Sequence, residues 1–145
     1  MKKITMILLS FITTTLLIAG CSSSKDIQDI SIEEISLKEA KKITSEQGYT
    51  LKSETLTESD IMIGDSNVFD FIKEASIEGG YSKDDFDSIT EDRKIVGYEL
   101  EEKSKIDEPI MLCMVIDQGK VIGAYLEYSS YMPGFEPINS TENFK

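Results

Sequence analysis

The stretch that decides the fold is Ile110-Met111-Leu112-Cys113-Met114-Val115-Ile116, followed by Asp117-Gln118-Gly119-Lys120 and by residues 121–128, Val-Ile-Gly-Ala-Tyr-Leu-Glu-Tyr. The first seven residues are an unbroken apolar run, which is typical of a central strand buried on both faces. The next four predict a tight turn in which Gly119 takes a positive φ, and the chain then returns as the partner strand. This segment therefore predicts a β-hairpin.

A further strand is predicted directly upstream of the hairpin. From Lys94 to Glu101, the residues Val96, Tyr98 and Leu100 recur at every second position, so they are expected to form the core face. Tyr49 to Leu56 also alternates, which indicates an extended segment.

The segment before these strands begins with a predicted helix from about Leu37 to Gln47. Ser36 and Glu39 have the spacing of a capping box, and Gly48 follows the last apolar turn. The pair Ser31 and Glu34 has the same spacing and offers an earlier start.

A second helix is predicted from Asn67 to Glu78, with Ser66 as its cap. A short helical turn is predicted from Ser82 to about Ser88, with Phe86 packing against the rest of the domain. With the strands, these segments predict an α+β fold. Two or three helices are expected to pack on one face of an antiparallel sheet that has a C-terminal β-hairpin.

The N-terminal residues carry an export signal. Lys2-Lys3 precede an apolar run that ends in Leu17-Ile18-Ala19-Gly20-Cys21, and this sequence resembles the lipobox of bacterial lipoproteins. In that family the Cys thiol receives a diacylglyceryl group and the chain is cleaved just before it. The alternative is a transmembrane helix, but the run from Ile4 to Gly20 is short of the roughly 20 apolar residues that a span needs. The resemblance implies lipidation of Cys21, with palmitate among the chains, and a place on the extracytoplasmic face of the cell membrane.

This signal divides the chain into four parts. Residues 1–20 are predicted to be a lipoprotein signal peptide, and residues 21–31 the lipidated cysteine and a tether. Residues 32–138 form a single α+β domain, which fits the commonest domain size. Residues 139–145 are expected to be a flexible tail.

Charge and missing residue types exclude several functions. Loss of Lys2 and Lys3 leaves 13 basic and 27 acidic side chains, a net charge of −14, which repels nucleic acid and anionic lipid head groups. The chain has no histidine, so Ser-His and Cys-His catalysis and histidine-containing zinc sites are excluded. Lipidation of Cys21 would leave Cys113 without an intrachain partner, and nothing in the sequence indicates a cofactor.

Two features resemble functional sites but favour structural readings. The acidic cluster Asp84, Asp85, Asp87, Glu91 and Asp92 lacks the D-x-D-x-D-G order of a hand-type calcium loop, so a solvated acidic turn is the favoured interpretation. Cys113 could be a redox sensor, but its apolar neighbours favour core packing.

The sequence offers one candidate binding surface, in and beside a loop bounded by proline and glycine. It consists of Tyr128, Tyr131, Met132 and Phe135. Aromatic residues with polar tips are enriched at binding surfaces. We therefore predict a non-enzymatic envelope module that binds a protein or peptide through this loop or a sheet edge. The alternative is a carboxylate-based hydrolase acting on cell-wall or extracellular polymers.

Several short motifs of the mature chain carry a further resemblance. They are Glu46-Gln47-Gly48-Tyr49, residues 69–81 with Asp84-Asp85-Phe86, Val96-Gly97-Tyr98-Glu99, residues 115–124 and Gly134-Phe135. In these motifs the mature chain resembles the uncharacterised family called domain of unknown function 4830. That family has no established reaction, so the resemblance implies only a fold and a location.

Overall fold

The computed structural model describes residues 31–58, 66–128 and 134–140. Its elements are α1 (Ile32–Gln47), β1 (Thr57–Glu58), α2 (Ser66–Glu78), α3 (Lys83–Asp87), β2 (Lys94–Lys103), β3 (Pro109–Asp117), β4 (Lys120–Tyr128) and β5 (Phe135–Pro137). The strands form one antiparallel sheet in the order β1-β2-β3-β4-β5. The predicted α+β class and the C-terminal hairpin, β3 with β4, are confirmed. The predicted signal peptide, Cys21, Tyr131 and Met132 lie outside the described residues.

The central strand β3 is buried on both faces, as its apolar run predicted. Leu112 and Met114 belong to one core cluster, together with Tyr98 of β2, whereas Cys113 and Val115 belong to a second cluster. Because successive side chains of a strand point to opposite faces, the two clusters lie on opposite sides of the sheet.

The helices divide between these two faces: α2 and α3 pack together on one face, as predicted for two helices, whereas α1 covers the other face. Ala40 and Ile43 of α1 join the first cluster, whereas Ile72 of α2 and Phe86 of α3 join the second. The physical reason is the apolar run of β3, since a strand that is apolar on both faces needs cover on both. The fold therefore has three layers, with the sheet in the middle.

The first helix starts at the earlier of its two predicted positions. Ser31 is the N-cap, and its hydroxyl accepts a hydrogen bond from the Glu34 backbone N–H at 3.1 Å. Ser36 is therefore not a cap. It lies inside α1, where its buried hydroxyl donates to the Glu33 carbonyl and lies 3.0 Å from the Tyr98 hydroxyl. This contact joins α1 to β2.

Two further segments complete the sheet at its edges. Leu51 forms an isolated bridge to Leu100 within the segment predicted to be extended. At the other edge, β5 pairs with residues 125–127 of β4, where the sequence indicated a loop. The Tyr49 hydroxyl then donates to the carbonyls of Ile138 and Ser140, so the ordered contacts continue two residues past Ile138.

The hairpin turn has a two-residue loop between the paired residues Asp117 and Lys120. Gly119 has a φ of 73°, as predicted, and Gln118 has a φ of 48°. Positive φ at both central residues defines a type I′ turn, whose twist matches that of the strands. The left-handed conformation costs glutamine conformational free energy, whereas glycine adopts it without that cost.

We expect Gly119→Val to lower the free energy of unfolding by roughly 1–3 kcal/mol through backbone strain. No atom lies within 4 Å of a Cβ built on Gly119, so a clash with a neighbour would not contribute. The midpoint of urea denaturation measures the effect, and Gln118→Gly, which should leave stability equal or higher, is the matched control. A wild-type midpoint for Gly119→Val would contradict the turn type.

Candidate functional site

Of the residues expected at the binding surface, the structure describes Tyr128 and Phe135. Tyr128 is only 5 % exposed, and its hydroxyl donates to Glu136 at 3.3 Å. Phe135 is half-buried, with its ring centroid 5.5 Å from that of Tyr125 in an edge-to-face contact. The assignment of Tyr128 to an exposed surface is therefore wrong. It shares the strand phase of Leu126, which places both side chains on a covered face of the sheet.

Cys113 lies in the core, as predicted. The residue is 2 % exposed, and its thiol donates a hydrogen bond to a Glu127 carboxylate oxygen at 3.2 Å. Burial raises the pKa of Cys113 well above its ordinary value, and the nearby Glu127 charge acts in the same direction. Both effects disfavour the thiolate, which is the reactive form.

Two members of the acidic cluster around α3, Asp85 and Asp87, form ion pairs. Asp85 contacts Lys120 of the hairpin at 2.7 Å, and Asp87 contacts both Lys73 of α2 and Lys83. The hydrogen bonds from Lys73 and Lys83 lower the pKa of Asp87 to about 2, so these pairs weaken only as pH falls toward that value. Among the described residues, no group of three or more acidic or cysteine side chains is arranged to hold a metal ion.

Two open grooves flank the tip of the hairpin. The first, the α1 groove, has a volume of about 390 Å³ and is lined by Glu34, Ile35, Lys38, Glu39, Gly119, Lys120 and Val121. The second, the α3 groove, has a volume of about 330 Å³ and is lined by Asp85, Ser88, Asp117, Gln118, Lys120 and Ile122. Both volumes fall within the range of small-ligand sites.

Three of the carboxylates in these grooves have partners. In the α3 groove, Asp117 accepts hydrogen bonds from the backbone N–H and the hydroxyl of Thr90, while Asp85 is paired with Lys120. In the α1 groove, Glu39 accepts from Lys42 at 2.9 Å and from the Tyr81 hydroxyl at 3.2 Å. These contacts tie the three carboxylates to neighbouring elements of the fold.

The outward side of α2 carries an exposed aromatic ring. Phe71 is 44 % exposed, and among the described residues only Ile106 is another large apolar side chain classed as exposed. Positions three and seven residues after Phe71 are the exposed carboxylates Glu74 and Glu78, and Asp70 is exposed beside it. Residues at these spacings share one side of a helix. We call these four residues the acidic face of α2.

The sequence contained a signal for this face. Phe71 lies off the apolar stripe that includes Ile72 and Ala75, both of which are buried. The grooves had no comparable signal, because their walls come from α1 or α3 and from a hairpin far along the chain.

Comparisons with known proteins do not extend these observations. No protein-family profile, curated protein or solved structure matches this chain. The resemblances to lipoproteins and to domain of unknown function 4830 therefore stay predictions. In the described ranges, no helix has both the length and the apolar character needed to cross a bilayer.

Proposed function

We propose that this chain is a lipid-anchored extracytoplasmic protein that binds a basic protein or peptide through the acidic face of α2. The anchor is supported by the lipobox-like sequence that ends at Cys21. Binding, rather than catalysis, is supported by the exposed ring of Phe71 on a helix whose other side is packed against the sheet.

The character of the face defines the chemistry of the partner. A large aromatic side chain is a common energetic centre of an interface. Here the ring is accompanied by three carboxylates and belongs to a mature chain with a net charge of −14, so a cationic partner is favoured. An arginine can place its guanidinium group over Phe71 and pair with Glu74 at the same time.

The domain already contains one contact of this kind. The guanidinium carbon of Arg93 lies 4.8 Å from the centroid of the Phe69 ring. That distance is within the range of a favourable cation–π interaction. An arginine of the partner would form with the exposed Phe71 ring the same kind of interaction that Arg93 forms with the half-buried Phe69 ring.

We expect Phe71→Ser to weaken binding about 30-fold, which corresponds to the roughly 2 kcal/mol lost at an interface centre. The first measurement is capture of the envelope partner by the lipidated protein. The second is titration of the protein with a short arginine-rich peptide and with the glutamate-substituted form of that peptide. Ile106→Ser is the matched control, because Ile106 is 60 % exposed but lies in the loop between β2 and β3.

The salt dependence provides a second readout. Binding of the arginine-rich peptide should weaken between 0.1 M and 1 M salt, where the screening length falls from about 10 Å to about 3 Å. Equal binding by wild type and Phe71→Ser, or preference for the glutamate-substituted peptide, would contradict the proposed surface.

A further inference from the structure

The α1 groove lies beside the point where the predicted tether enters the domain. Ser31 caps α1, and the first two turns of this helix supply Glu34, Ile35 and Lys38 to one wall. The opposite wall is the hairpin tip with Val121. The residues that precede Ser31 are therefore covalently attached at the edge of the groove.

The apolar part of the groove matches the apolar residues of the tether. Ile35 and Val121 are both partly buried on the groove walls. Relative to the cap Ser31, Ile30 occupies the position before the cap and Ile35 the fourth position of the helix. Apolar residues at these two positions commonly pack together as a hydrophobic staple. Ile27 supplies a second apolar side chain, three residues earlier.

The charges are also complementary. Lys38 is exposed and has no ion pair among the described residues. The tether carries Asp26 and Asp29 next to its isoleucines. Two carboxylates of the groove lie near Lys38 in the sequence: Glu39 is paired with Lys42 at 2.9 Å, and Glu34 forms no ion pair with Lys38 among the described residues. An aspartate that enters the groove would thus find a cation without a competing partner in the described structure.

The length of the segment is sufficient. Six extended residues, 25–30, reach roughly 20 Å, which exceeds the roughly 11 Å length of the two helical turns that supply one wall of the groove. The segment can therefore pass from Ser31 across the floor of the groove to the hairpin wall.

We propose that residues 25–30, Lys-Asp-Ile-Gln-Asp-Ile, dock in the α1 groove of their own domain. Ile30 packs on Ile35, Ile27 packs on Val121, and Asp29 pairs with Lys38. If Cys21 is lipidated, only Ser22–Ser24 then separate the anchor from the docked segment. Three residues span about 10 Å, so the hairpin end of the domain would be held next to the membrane rather than on a long free tether.

The test measures methyl–methyl nuclear Overhauser contacts in the full mature chain carrying Cys21→Ser, which keeps it free of lipid. Isoleucine and valine methyl groups are labelled. We expect contacts between Ile30 and Ile35 and between Ile27 and Val121. Lys38→Glu, an exposed substitution, should weaken the contact between Ile27 and Val121 several-fold, and the charge swap Asp29→Lys with Lys38→Glu should restore it.

Three results would overturn the proposal. The first is a contact between Ile30 and Ile35 without one between Ile27 and Val121, which is a helix staple alone. The second is a contact between Ile27 and Val121 that Lys38→Glu leaves unchanged. The third is a contact that disappears on dilution, which assigns the segment to a second copy of the chain. Because the measurement involves neither the lipid nor the acidic face of α2, its outcome is independent of the proposed function.

Discussion

Gly123→Val is expected to lower the free energy of unfolding by about 3 kcal/mol, the upper end of what overpacking a core costs. A Cβ built on Gly123 would lie 2.5 Å from Cζ of Phe86 and 2.8 Å from Oγ of Ser76. Phe86 belongs to α3 and Ser76 to α2, and both side chains are buried. Valine would therefore force the two helices away from the sheet. The lost free energy of unfolding would be a large part of the roughly 5–15 kcal/mol that stabilises a domain. Chemical denaturation monitored by far-UV circular dichroism measures the change.

A double-variant cycle separates this clash from other effects. Gly123→Ala should destabilise the domain less than valine does, and Phe86→Leu should cost stability through lost packing. Because the shorter leucine vacates the space of the ring tip, the two substitutions together should cost less than the sum of their separate effects. A Gly123→Val protein with the wild-type midpoint would show that α2 and α3 do not cover this face.

Cys21→Ser is expected to abolish fatty-acid incorporation and to leave either the unprocessed precursor or a released form in place of the lipid-anchored protein. The serine hydroxyl cannot form the thioether to a diacylglyceryl group, so no acyl chain can be added at this position. Two acyl chains at about 0.8 kcal/mol per buried CH₂ provide stable anchoring. A released form without acyl chains has only its acidic surface, which anionic lipids repel. Metabolic labelling with a radioactive fatty acid, followed by cell fractionation, measures both properties.

The other cysteine provides the matched control for this experiment. Cys113 is buried in β3, so Cys113→Ala should retain labelling and membrane fractionation at the wild-type level. Label that persists in Cys21→Ser, or that is lost only in Cys113→Ala, would disprove lipidation at Cys21.

Much of the local structure could be predicted because it depends on short-range rules. The hairpin follows from an apolar run, a glycine in a left-handed conformation and a return strand, and all three are confirmed in residues 109–128. The alternation of Val96, Tyr98 and Leu100 likewise identified the core face of β2. Phe71 was recognisable as an aromatic residue off the apolar stripe of α2.

Other predictions failed although a local signal was present. Tyr128 continues the every-second-residue phase of Ala124 and Leu126, which indicates a buried position. Its place at the end of the strand, beside a proline- and glycine-bounded loop, suggests exposure, but the phase of the strand decides the burial of this side chain. Ser36 has the spacing of a helix cap, but the cap at Ser31 starts the helix one turn earlier, and the buried hydroxyl pairs with Tyr98 instead.

What the sequence by itself determined is the identity of most elements and the side of each that is apolar, because both depend on residues within one or two turns of each other. Only the tertiary structure decided that α1 covers one face of the sheet and that α2 and α3 cover the other. That choice depends on contacts between distant residues, such as Phe86 over Gly123 and Ser36 beside Tyr98. The α1 groove has the same origin, since its walls are a helix and a hairpin tip about 80 residues apart that meet only when both pack on the same sheet.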